Sequence, residues 1–377
     1  MTQAVTPDPR LDEARAIPIG EVAARLGVDA GLKRAGQELV GPCPECGGRD
    51  RFAIDLRKNV FNCRACGGGD GLALVRLVQA CDFPEALAFL TGERPDRRDP
   101  ELEARRRAQR ERQRREQAAE AERFRAEAIR RARAIWDEGR PAAGTAVEGY
   151  LVRRGLAPER IGGLPAALRF HPDLPYRHKP KGGDWTTLHS GPAMLAGILA
   201  PNGALTGVHR TWIDLTQANG KLAITHAGES LPAKKVEGSK KGGAIRLVSP
   251  PRIAEIATLV MAEGIETTLS AVAAGALPGA AFWSGVDLGN MGGRRVAGRG
   301  LKYAGLPDMT DFDAFVPPPS VRRLVFVQDG DSDPRLTRAK LEAGLRRAEA
   351  CIPGLRIEIV RAADGADLND MLRGEAA

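Results

Sequence analysis

The chain has 377 residues, of which 28% are charged, and it carries a formal net charge of +8 with a calculated pI of about 9.4. This length is sufficient for two or three domains with their own hydrophobic cores, and the basic balance favours a polyanionic partner. No apolar run approaches the roughly 18 residues of a membrane span, so we expect a cytoplasmic protein without membrane association.

Apolar residues at helical spacing over residues 19–26 predict a short helix, and two Cys-x2-Cys pairs follow it. Sixteen residues separate the pairs, a spacing that can place four thiolates around one tetrahedral Zn²⁺. Two disulfides are the alternative, disfavoured because no signal peptide is visible in residues 1–10 and the chain is too large to need such links. We predict one structural zinc ion, held by Cys43, Cys46, Cys63 and Cys66.

The segment between the two cysteine pairs combines cations with two aromatic residues on strand-like stretches at 51–55 and 59–62. We predict that Phe52 and Phe61 fill the small interior of a zinc ribbon. The ribbon itself does not need the cations, so we predict that they bind single-stranded nucleic acid. The cations assigned to this role are Arg51, Lys58 and Arg64.

A strongly charged stretch follows, with twelve Arg and seven Glu between residues 101 and 134. It has high helix propensity and many opposite charges at i,i+4 spacing, but no apolar stripe to bury. The pattern predicts a solvated helix of about 50 Å that acts as a spacer. Arginines that follow phosphates are the alternative interpretation, and the solvated helix is favoured.

The middle of the chain reads as a basic, mixed α/β segment. Strand-like pieces at 194–199, 205–213 and 221–225 are separated by glycine and asparagine turns. A Walker loop is absent from the sequence, which argues against a fused helicase motor. We predict contacts to nucleic acid or nucleotide from the clustered basic residues His209, Arg210, Lys234, Lys240, Lys241 and Arg246.

Strands and helices alternate in the last third of the chain. Apolar strands are predicted at 258–262, 321–328 and 355–360, with helices at 265–274 and 335–350. This alternation predicts a parallel sheet, in which the carboxyl ends of the strands share one edge where ligands bind.

Carboxylates follow two of these strands: Glu263 ends the first, and Asp329, Asp331 and Asp333 follow the second. Acids gathered at one sheet edge repel one another unless a cation lies between them, and oxygen ligands select Mg²⁺ or Mn²⁺. We predict a metal-dependent phosphoryl-transfer site at this edge. The alternative is that Asp and Gly simply populate the turns that follow strands.

These motifs resemble a known family. The sequence Met261-Ala262-Glu263-Gly264-Ile265-Glu266-Thr267, together with Val327-Gln328-Asp329-Gly330-Asp331, resembles the Toprim domain shared by bacterial primases, topoisomerases and some nucleases. The cysteine ribbon resembles the zinc-binding domain of primases, especially those of phage and satellite-phage primase-helicases. The order of ribbon then Toprim matches primases.

The resemblance implies a phage- or plasmid-type DNA primase. Such a nucleotidyltransferase joins NTPs into short primers on single-stranded DNA, and a replicative helicase is expected to act in trans. Glu263, Asp329 and Asp331 would be catalytic and would bind Mg²⁺ or Mn²⁺, with Asp333 as a further candidate ligand. Two alternatives stay open, a Toprim-type nuclease that uses the same carboxylates and a non-catalytic, single-strand-binding replication-initiation adaptor.

The expected fold class is α+β and α/β with several domains. A zinc-ribbon domain with flanking helices is expected at 1–95 and a charged helical linker at 96–138. A basic mixed α/β domain is expected at 139–252, followed by a Toprim α/β domain with a parallel sheet at 253–377.

Overall fold

The computed structural model describes residues 9–92, 100–180, 182–298, 300–330, 333–362, 365 and 367–374. The chain divides into two compact units, Met1–Arg115 and Glu116–Ala377. One residue of the predicted acid cluster, Asp331, lies outside the described residues.

The first unit contains a five-stranded antiparallel sheet in the order β1-β2-β3-β4-β5. The strands are β1 (Lys33–Ala35), β2 (Glu38–Cys43), β3 (Gly47–Asp55), β4 (Val60–Cys63) and β5 (Gly67–Gly69). The α-helices described wholly within this unit are α1 (Pro9–Ala16), α2 (Ile19–Arg25), α3 (Gly71–Gln79) and α4 (Phe83–Thr91).

Alternate side chains near the end of β3 point into the small core of this unit. Phe52 and Ile54 are fully buried, and the ring of Phe52 lies 5.6 Å from that of Phe61 on β4. The prediction that these two aromatic residues fill the ribbon interior is confirmed. Helices α3 and α4 begin where the side chains of Asp70 and Asp82 accept hydrogen bonds from backbone N–H groups, which explains where each helix starts.

The charged stretch forms one long helix, α5 (Pro100–Glu138), as the sequence predicts. Its residues from 111 to 124 are exposed, but its last turns are not a solvated spacer. Ala132 is fully buried, and Ile135 and Trp136 pack with it against a sheet of the second unit. The prediction of a solvated helix is therefore wrong at this end, because the three apolar residues at 132–136 form a short stripe that the low overall hydropathy conceals.

The second unit contains an antiparallel sheet in the order β12-β9-β8-β7-β6 and a separate hairpin, β10-β11. Its strands are β6 (Arg140–Pro141), β7 (Leu168–His178), β8 (Thr186–Leu199), β9 (Leu205–Trp212), β10 (Ile224–His226), β11 (Glu229–Leu231) and β12 (Lys234–Gly238). Two short helices, α6 (Ala146–Arg153) and α7 (Pro158–Ile161), precede β7. The predicted strand at 221–225 is displaced: Lys221 makes an isolated bridge to Ile213, and β10 begins at Ile224.

Both faces of the antiparallel sheet are buried, and successive side chains of a strand point to opposite faces. On β8, Ala193 and Leu195 face the end of α5, whereas Met194 and Ala196 face the core that contains α6. The contact between α5 and the sheet requires a glycine at position 238 on β12. A Cβ at this position would lie 2.4 Å from the Thr206 carbonyl oxygen and 2.9 Å from the Cβ of Ala132. The glycine, with φ of 89°, lets the helix approach the sheet closely.

A second sheet has the order β13-β15-β14-β16-β17. Its strands are β13 (Ile245–Val248), β14 (Thr258–Ala262), β15 (Ala281–Ser284), β16 (Arg323–Gln328) and β17 (Arg356–Arg361). The accompanying helices are α8 (Ile265–Ala273), α9 (Leu288–Gly292), α10 (Pro334–Cys351) and α11 (Leu368–Arg373). Strands β15, β14, β16 and β17 are parallel, and β13 is an antiparallel edge strand.

The central strands of this sheet are buried on both faces, as expected for parallel strands covered by helices. Leu259 and Met261 of β14 pack in the core that includes α10, whereas Val260 and Ala262 pack in the core that includes Ala271 of α8. The prediction of a mixed α/β protein with a sheet of parallel strands is confirmed. Among the described residues, no helix has the length and apolar character needed to cross a membrane.

Candidate functional site

The four cysteines of the first unit form a cluster at the end of the ribbon. Their Sγ atoms all lie within 4.8 Å of one another, and three of the four residues are buried. The separation is 4.0 Å from Cys43 to Cys66 and 3.4 Å from Cys46 to Cys63. Four sulfur ligands about 2.3 Å from a tetrahedral Zn²⁺ would stand about 3.8 Å apart. The cluster therefore fits zinc, and all four cysteines are free of disulfide bonds.

The thiols of the cluster have strongly unequal proton affinities. Burial raises the pKa of Cys63, but N–H groups of Ala65 and Cys66 donate to its sulfur and the net pKa is about 6. Burial and the neighbouring sulfurs raise the pKa of Cys66 to about 12. The sulfurs thus compete for protons, and a divalent cation among them would favour the thiolate at every position.

The cations predicted to bind nucleic acid from the ribbon are partly engaged within it. Arg51 Nη1 lies 4.0 Å from Cys46 Sγ, and Lys58 Nζ lies 3.2 Å from a carboxylate oxygen of Asp55. Arg64 donates to the Asp50 carbonyl oxygen at 2.8 Å and lies 3.4 Å from the Asp50 carboxylate. The Arg64–Asp50 pair is exposed on both sides, so it contributes little to stability and can exchange for a phosphate contact.

In the second unit, the acids that follow two parallel strands share one cavity. Glu263 follows β14 and Asp329 follows β16, and these strands are paired in parallel with Met261 opposite Phe326. Both acids line a cavity of about 290 Å³, with Glu266 and Asp367 as two further carboxylates on its wall. Ser284, at the end of β15, donates from its hydroxyl to the Glu263 carbonyl oxygen at 2.8 Å. The carboxyl edge of the sheet therefore brings together groups from three strands.

The third predicted acid that the structure describes has a different local role. Asp333 caps α10, and its Oδ1 accepts hydrogen bonds from the N–H groups of Arg335 and Leu336 at 3.1 and 3.2 Å. Within the described residues, the cysteine cluster is the one group of three or more acidic, histidine or cysteine ligands that meets within 4.8 Å. The carboxylates of Glu263 and Asp329 have the donor chemistry for Mg²⁺ or Mn²⁺ at the cavity wall.

Several cations line the same cavity. Lys221, Lys234 and the nearly buried Arg154 border it, together with His209. Lys234 lies on β12 and His209 on β9, and both side chains belong to the sheet face that contains Met194 and Ala196. Of the basic residues predicted from the sequence, His209 and Lys234 reach this cavity.

A buried carboxylate, Glu266, ties these cations together. Tyr150 donates from its hydroxyl to Glu266 Oε1 at 2.5 Å, and the ammonium groups of Lys221 and Lys234 lie 3.1 and 3.0 Å from the carboxylate. Burial by itself would raise the pKa of Glu266, but the two ammonium groups and the tyrosine outweigh it and hold the pKa well below its usual range. Glu266 is therefore ionised and fixes both lysines at the cavity wall.

Burial and nearby charges also shift the pKa values of Lys234, Lys221 and His209. Burial would lower the pKa of Lys234, but Glu266 raises it above the usual value, while burial lowers the pKa of Lys221. Burial and the charge of Lys234 lower the pKa of His209 to about 4, so this imidazole is neutral at pH 7. Its Nδ1 is buried and makes no hydrogen bond with the described residues.

Sequence reasoning missed much of this cation cluster. Glu266 stands three residues after Glu263, in the quoted motif, but nothing local shows that it meets lysines 32 and 45 positions away. Tyr150, Arg154 and Lys221 come from loops and a short helix without any motif. Asp367 follows the last strand, β17, in the chain, and it caps α11 by accepting a hydrogen bond from the N–H of Asp370.

The remaining predicted basic residues lie elsewhere and are engaged by other groups. Lys240 pairs with Asp287 and Lys241 with Asp313. The Gly242 N–H donates to Asn290 Oδ1 at 3.0 Å, so this N–H of the Lys-Lys-Gly-Gly loop is already used. Arg246 donates to the Ala200 carbonyl oxygen and stacks over Trp283 at 4.8 Å. That Lys240, Lys241 and Arg246 contact nucleic acid or nucleotide stays a prediction.

Arg210 lies on the other face of the antiparallel sheet. It is opposite Lys235 in the register of β9 and β12, and its guanidinium lies 3.5 Å from the Glu237 carboxylate. Because successive side chains of a strand point to opposite faces, His209 and Arg210 lie on different faces of the sheet. The same holds for Lys234 and Lys235. The sequence groups them as one basic cluster, and the structure separates them into two.

Comparison with known proteins gives one sequence family and several distant structures. Residues 126–247 match a domain of unknown function, DUF7146. A DNA primase domain from Pseudomonas aeruginosa is 15% identical, with 66% of this chain and 75% of that chain covered and a TM-score of 0.39. A DnaG primase catalytic domain, solved bound to single-stranded DNA, is 16% identical over 62% of this chain and 71% of that chain, with a TM-score of 0.37.

The primase fragment of the bacteriophage T7 primase-helicase protein is similar over a longer span. It is 11% identical, covers 89% of this chain and 95% of that chain, and gives a TM-score of 0.31. The structural likeness of all three is distant.

Proposed function

We propose that this protein is a template-dependent DNA primase, a nucleotidyltransferase that joins NTPs on single-stranded DNA. The observation that carries the proposal is that Glu263, Asp329, Lys221 and Lys234 line one cavity. Carboxylates that can hold a divalent metal, together with cations that can hold phosphates, are what a polyphosphate substrate requires. The cysteine ribbon adds a second module for contact with the template strand.

The proposed reaction transfers a nucleotidyl group. The 3′-hydroxyl oxygen of one nucleotide attacks the α-phosphorus of the next, the bond from this phosphorus to the bridging oxygen breaks, pyrophosphate leaves and the hydroxyl proton is released. Glu263 and Asp329, with Asp331 in the proposed set, would hold Mg²⁺ or Mn²⁺, which neutralises phosphate oxygens when bound. Lys221, Lys234 and Arg154 would bind and orient the polyphosphate.

The fixed position of the two lysines matters for this role. Glu266 holds each ammonium group at about 3 Å, so little reorganisation is needed when a phosphate arrives. Neutral His209 adds a hydrogen-bonding nitrogen to the wall without adding a further positive charge beside Lys234. We include in the proposal a phage or plasmid setting, a cytoplasmic location and a helicase that acts in trans.

The deciding experiment is a primer-synthesis assay. Full-length protein is incubated with single-stranded DNA, labelled NTPs and Mg²⁺ or Mn²⁺, and the products are resolved by length. We expect short oligomers that disappear with Asp329→Asn and persist with Asp173→Asn, a matched change at an exposed carboxylate of β7.

Other outcomes would overturn the proposal. Shortened DNA strands that form without NTPs and vanish in Asp329→Asn would identify a nuclease. Single-strand binding without any product, unaffected by Glu263→Gln, would identify a non-catalytic adaptor.

A further inference from the structure

We propose that His209 is the proton donor to the pyrophosphate that leaves in the proposed reaction, an assignment that rests on the proposed function. The imidazole lines the acid cavity together with Lys221, Lys234 and Arg154, the cations assigned above to the polyphosphate. When the bond from the α-phosphorus to the bridging oxygen breaks, negative charge develops on that oxygen. A positioned acid that protonates such an oxygen accelerates a reaction by about 100-fold or more.

The antiparallel sheet fixes the position of this imidazole. His209 lies on β9, opposite Ala196 of β8 on one side and Val236 of β12 on the other. Its Nδ1 is buried and has no hydrogen-bond partner in the described part of the chain. Because Nδ1 is out of reach of a ligand, the donor of the proposed step is the N–H group at Nε2.

Charged groups from several elements act on the ring. Lys234 of β12, Lys221 in the loop after β9 and the adjacent Arg210 disfavour its cationic form, and Glu266 of α8 favours it. Burial and these cations lower the pKa of His209 to about 4, so the free protein holds a neutral ring at pH 7. The other charged groups on the wall of the cavity are Arg154, Glu263, Asp329 and Asp367.

A bound polyphosphate reverses this balance of charge. Its oxygens bring negative charge to the lysines that disfavour protonation of the ring, and a nearby negative charge favours an imidazolium. Binding of the polyphosphate thus raises the pKa of His209, and the ring takes up a proton from water. The substrate itself creates the acid, which is present when the bond breaks and absent from the free protein.

Atoms and protons balance in the proposed step. The 3′-hydroxyl oxygen bonds to the α-phosphorus and releases its proton to water, while the bond from this phosphorus to the bridging oxygen breaks and leaves its electron pair on the oxygen. The imidazolium gives its Nε2 proton to that oxygen. The ring of His209 then returns to the neutral form that the free protein holds.

Lys221 is the competing donor on the same wall. Burial lowers its pKa, which makes the ammonium a better acid, but this ammonium lies 3.1 Å from the buried Glu266 carboxylate. Loss of its proton would leave that carboxylate with one cation fewer, which is costly for a buried charge. The same carboxylate raises the pKa of Lys234 and makes it a weaker acid. The cavity therefore favours His209 as the donor.

The test compares leaving groups of different acidity. Formation of the first dinucleotide on single-stranded DNA is followed in single turnovers, with NTP analogues that carry CF2 or CH2 in place of the β,γ-bridging oxygen. The CF2 group makes the departing diphosphonate more acidic, so its release depends less on a proton donor. We expect His209→Gln to slow the reaction of natural NTPs about 100-fold and to increase the CF2-to-CH2 rate ratio about tenfold. His189→Gln, at a half-buried histidine outside the cavity lining, should change neither.

The pH dependence of the single-turnover rate is a second readout. A donor must carry its proton, so the rate should fall as the pH rises through the raised pKa of His209 in the complex. His209→Gln should lack this fall, because glutamine has no proton to lose in this range. Both readouts compare one preparation with itself, so a variant that is partly unfolded lowers all rates equally and leaves the comparison intact.

An unchanged CF2-to-CH2 ratio in His209→Gln, or a fall in rate with pH that persists in this variant, would overturn the assignment. A ratio that increases in Lys221→Arg and not in His209→Gln would identify Lys221 as the donor, since arginine keeps the charge but does not give up its proton. If the unaltered protein makes no dinucleotide, the proposed function fails and this assignment fails with it. If dinucleotide forms and the ratio is the same in His209→Gln, the assignment alone fails.

Discussion

Lys234 and Lys235 are neighbours in β12, and their side chains lie on opposite faces of the antiparallel sheet. Lys234 reaches the Glu266 carboxylate at 3.0 Å, while Lys235 donates to the Arg177 carbonyl oxygen at 2.6 Å. Adjacent residues of a strand point to opposite faces of a sheet, so only Lys234 of this basic dipeptide lines the acid cavity.

Loss of the Glu266 charge should destabilise the second unit. Glu266→Gln leaves Lys221 and Lys234 close together without their shared counterion, and breaking such a buried pair costs about 3 kcal/mol. Urea unfolding measures this change. Glu255→Gln, at an exposed pair with Arg252, should change the free energy of unfolding by less than about 0.5 kcal/mol.

A second variant tests whether the cost comes from the lysines. Adding Lys234→Met to Glu266→Gln removes one of the two stranded charges, so the double variant should be more stable than the sum of the single changes predicts. Simple additivity would show that the Glu266 carboxylate does not act through Lys234.

His209 should make stability depend on pH between about 4 and 6.5. Its pKa is lowered from 6.5 to about 4, so in this window the unfolded chain binds a proton that the folded protein does not. The stability it contributes is therefore present above pH 6.5 and is lost as the pH falls. From pH 7 to pH 5 the loss from this residue is about 2 kcal/mol.

The measurement is urea unfolding at pH 7 and pH 5. His209→Gln should reduce the difference in unfolding free energy between the two pH values, because the titrating group is gone. His189→Gln, at a half-buried histidine outside the cavity lining, is the matched control and should retain the difference. An unchanged difference in His209→Gln would contradict the prediction.

Zinc removal should unfold the ribbon. The sheet of the first unit is small, and its turns are fixed by the four sulfurs, so its stability depends on the metal. We expect one zinc ion per chain by metal analysis, absent in Cys63→Ala and retained in Cys81→Ala, which alters a half-buried cysteine outside the cluster.

Limited proteolysis locates the effect of losing zinc. Cleavage of Cys63→Ala should concentrate within residues 33–69, while residues 116–374 stay resistant. Full zinc content and unchanged cleavage in Cys63→Ala would contradict a cysteine-held metal.

The end of α5 should behave as part of a core. Ala132→Asp would bury a carboxylate against Gly238 and should destabilise the protein by about 3 kcal/mol or more in urea unfolding. Ala118→Asp, at an exposed position of the same helix, should cost less than about 1 kcal/mol. Equal effects of the two changes would show that the helix end is not packed.

The sequence alone determined the features that depend on local pattern. Cys43 to Cys66 carry their ligand spacing within a short segment, and the apolar strand Thr258–Ala262 is found with the predicted bounds. Glu263 follows this strand and Asp329 follows β16. Because parallel strands end at one edge of a sheet, the sequence predicts that both acids lie at that edge. These predictions needed only short-range periodicity and one general rule of topology.

The tertiary structure alone decided which distant residues meet. Tyr150 reaches Glu266 across 116 positions, and no periodicity in either segment encodes that contact. The division of His209 from Arg210, and of Lys234 from Lys235, required knowing that these residues lie in strands with both faces covered. A buried charge needs a counterion wherever folding can bring one, so its partners are selected by the packing of the whole unit.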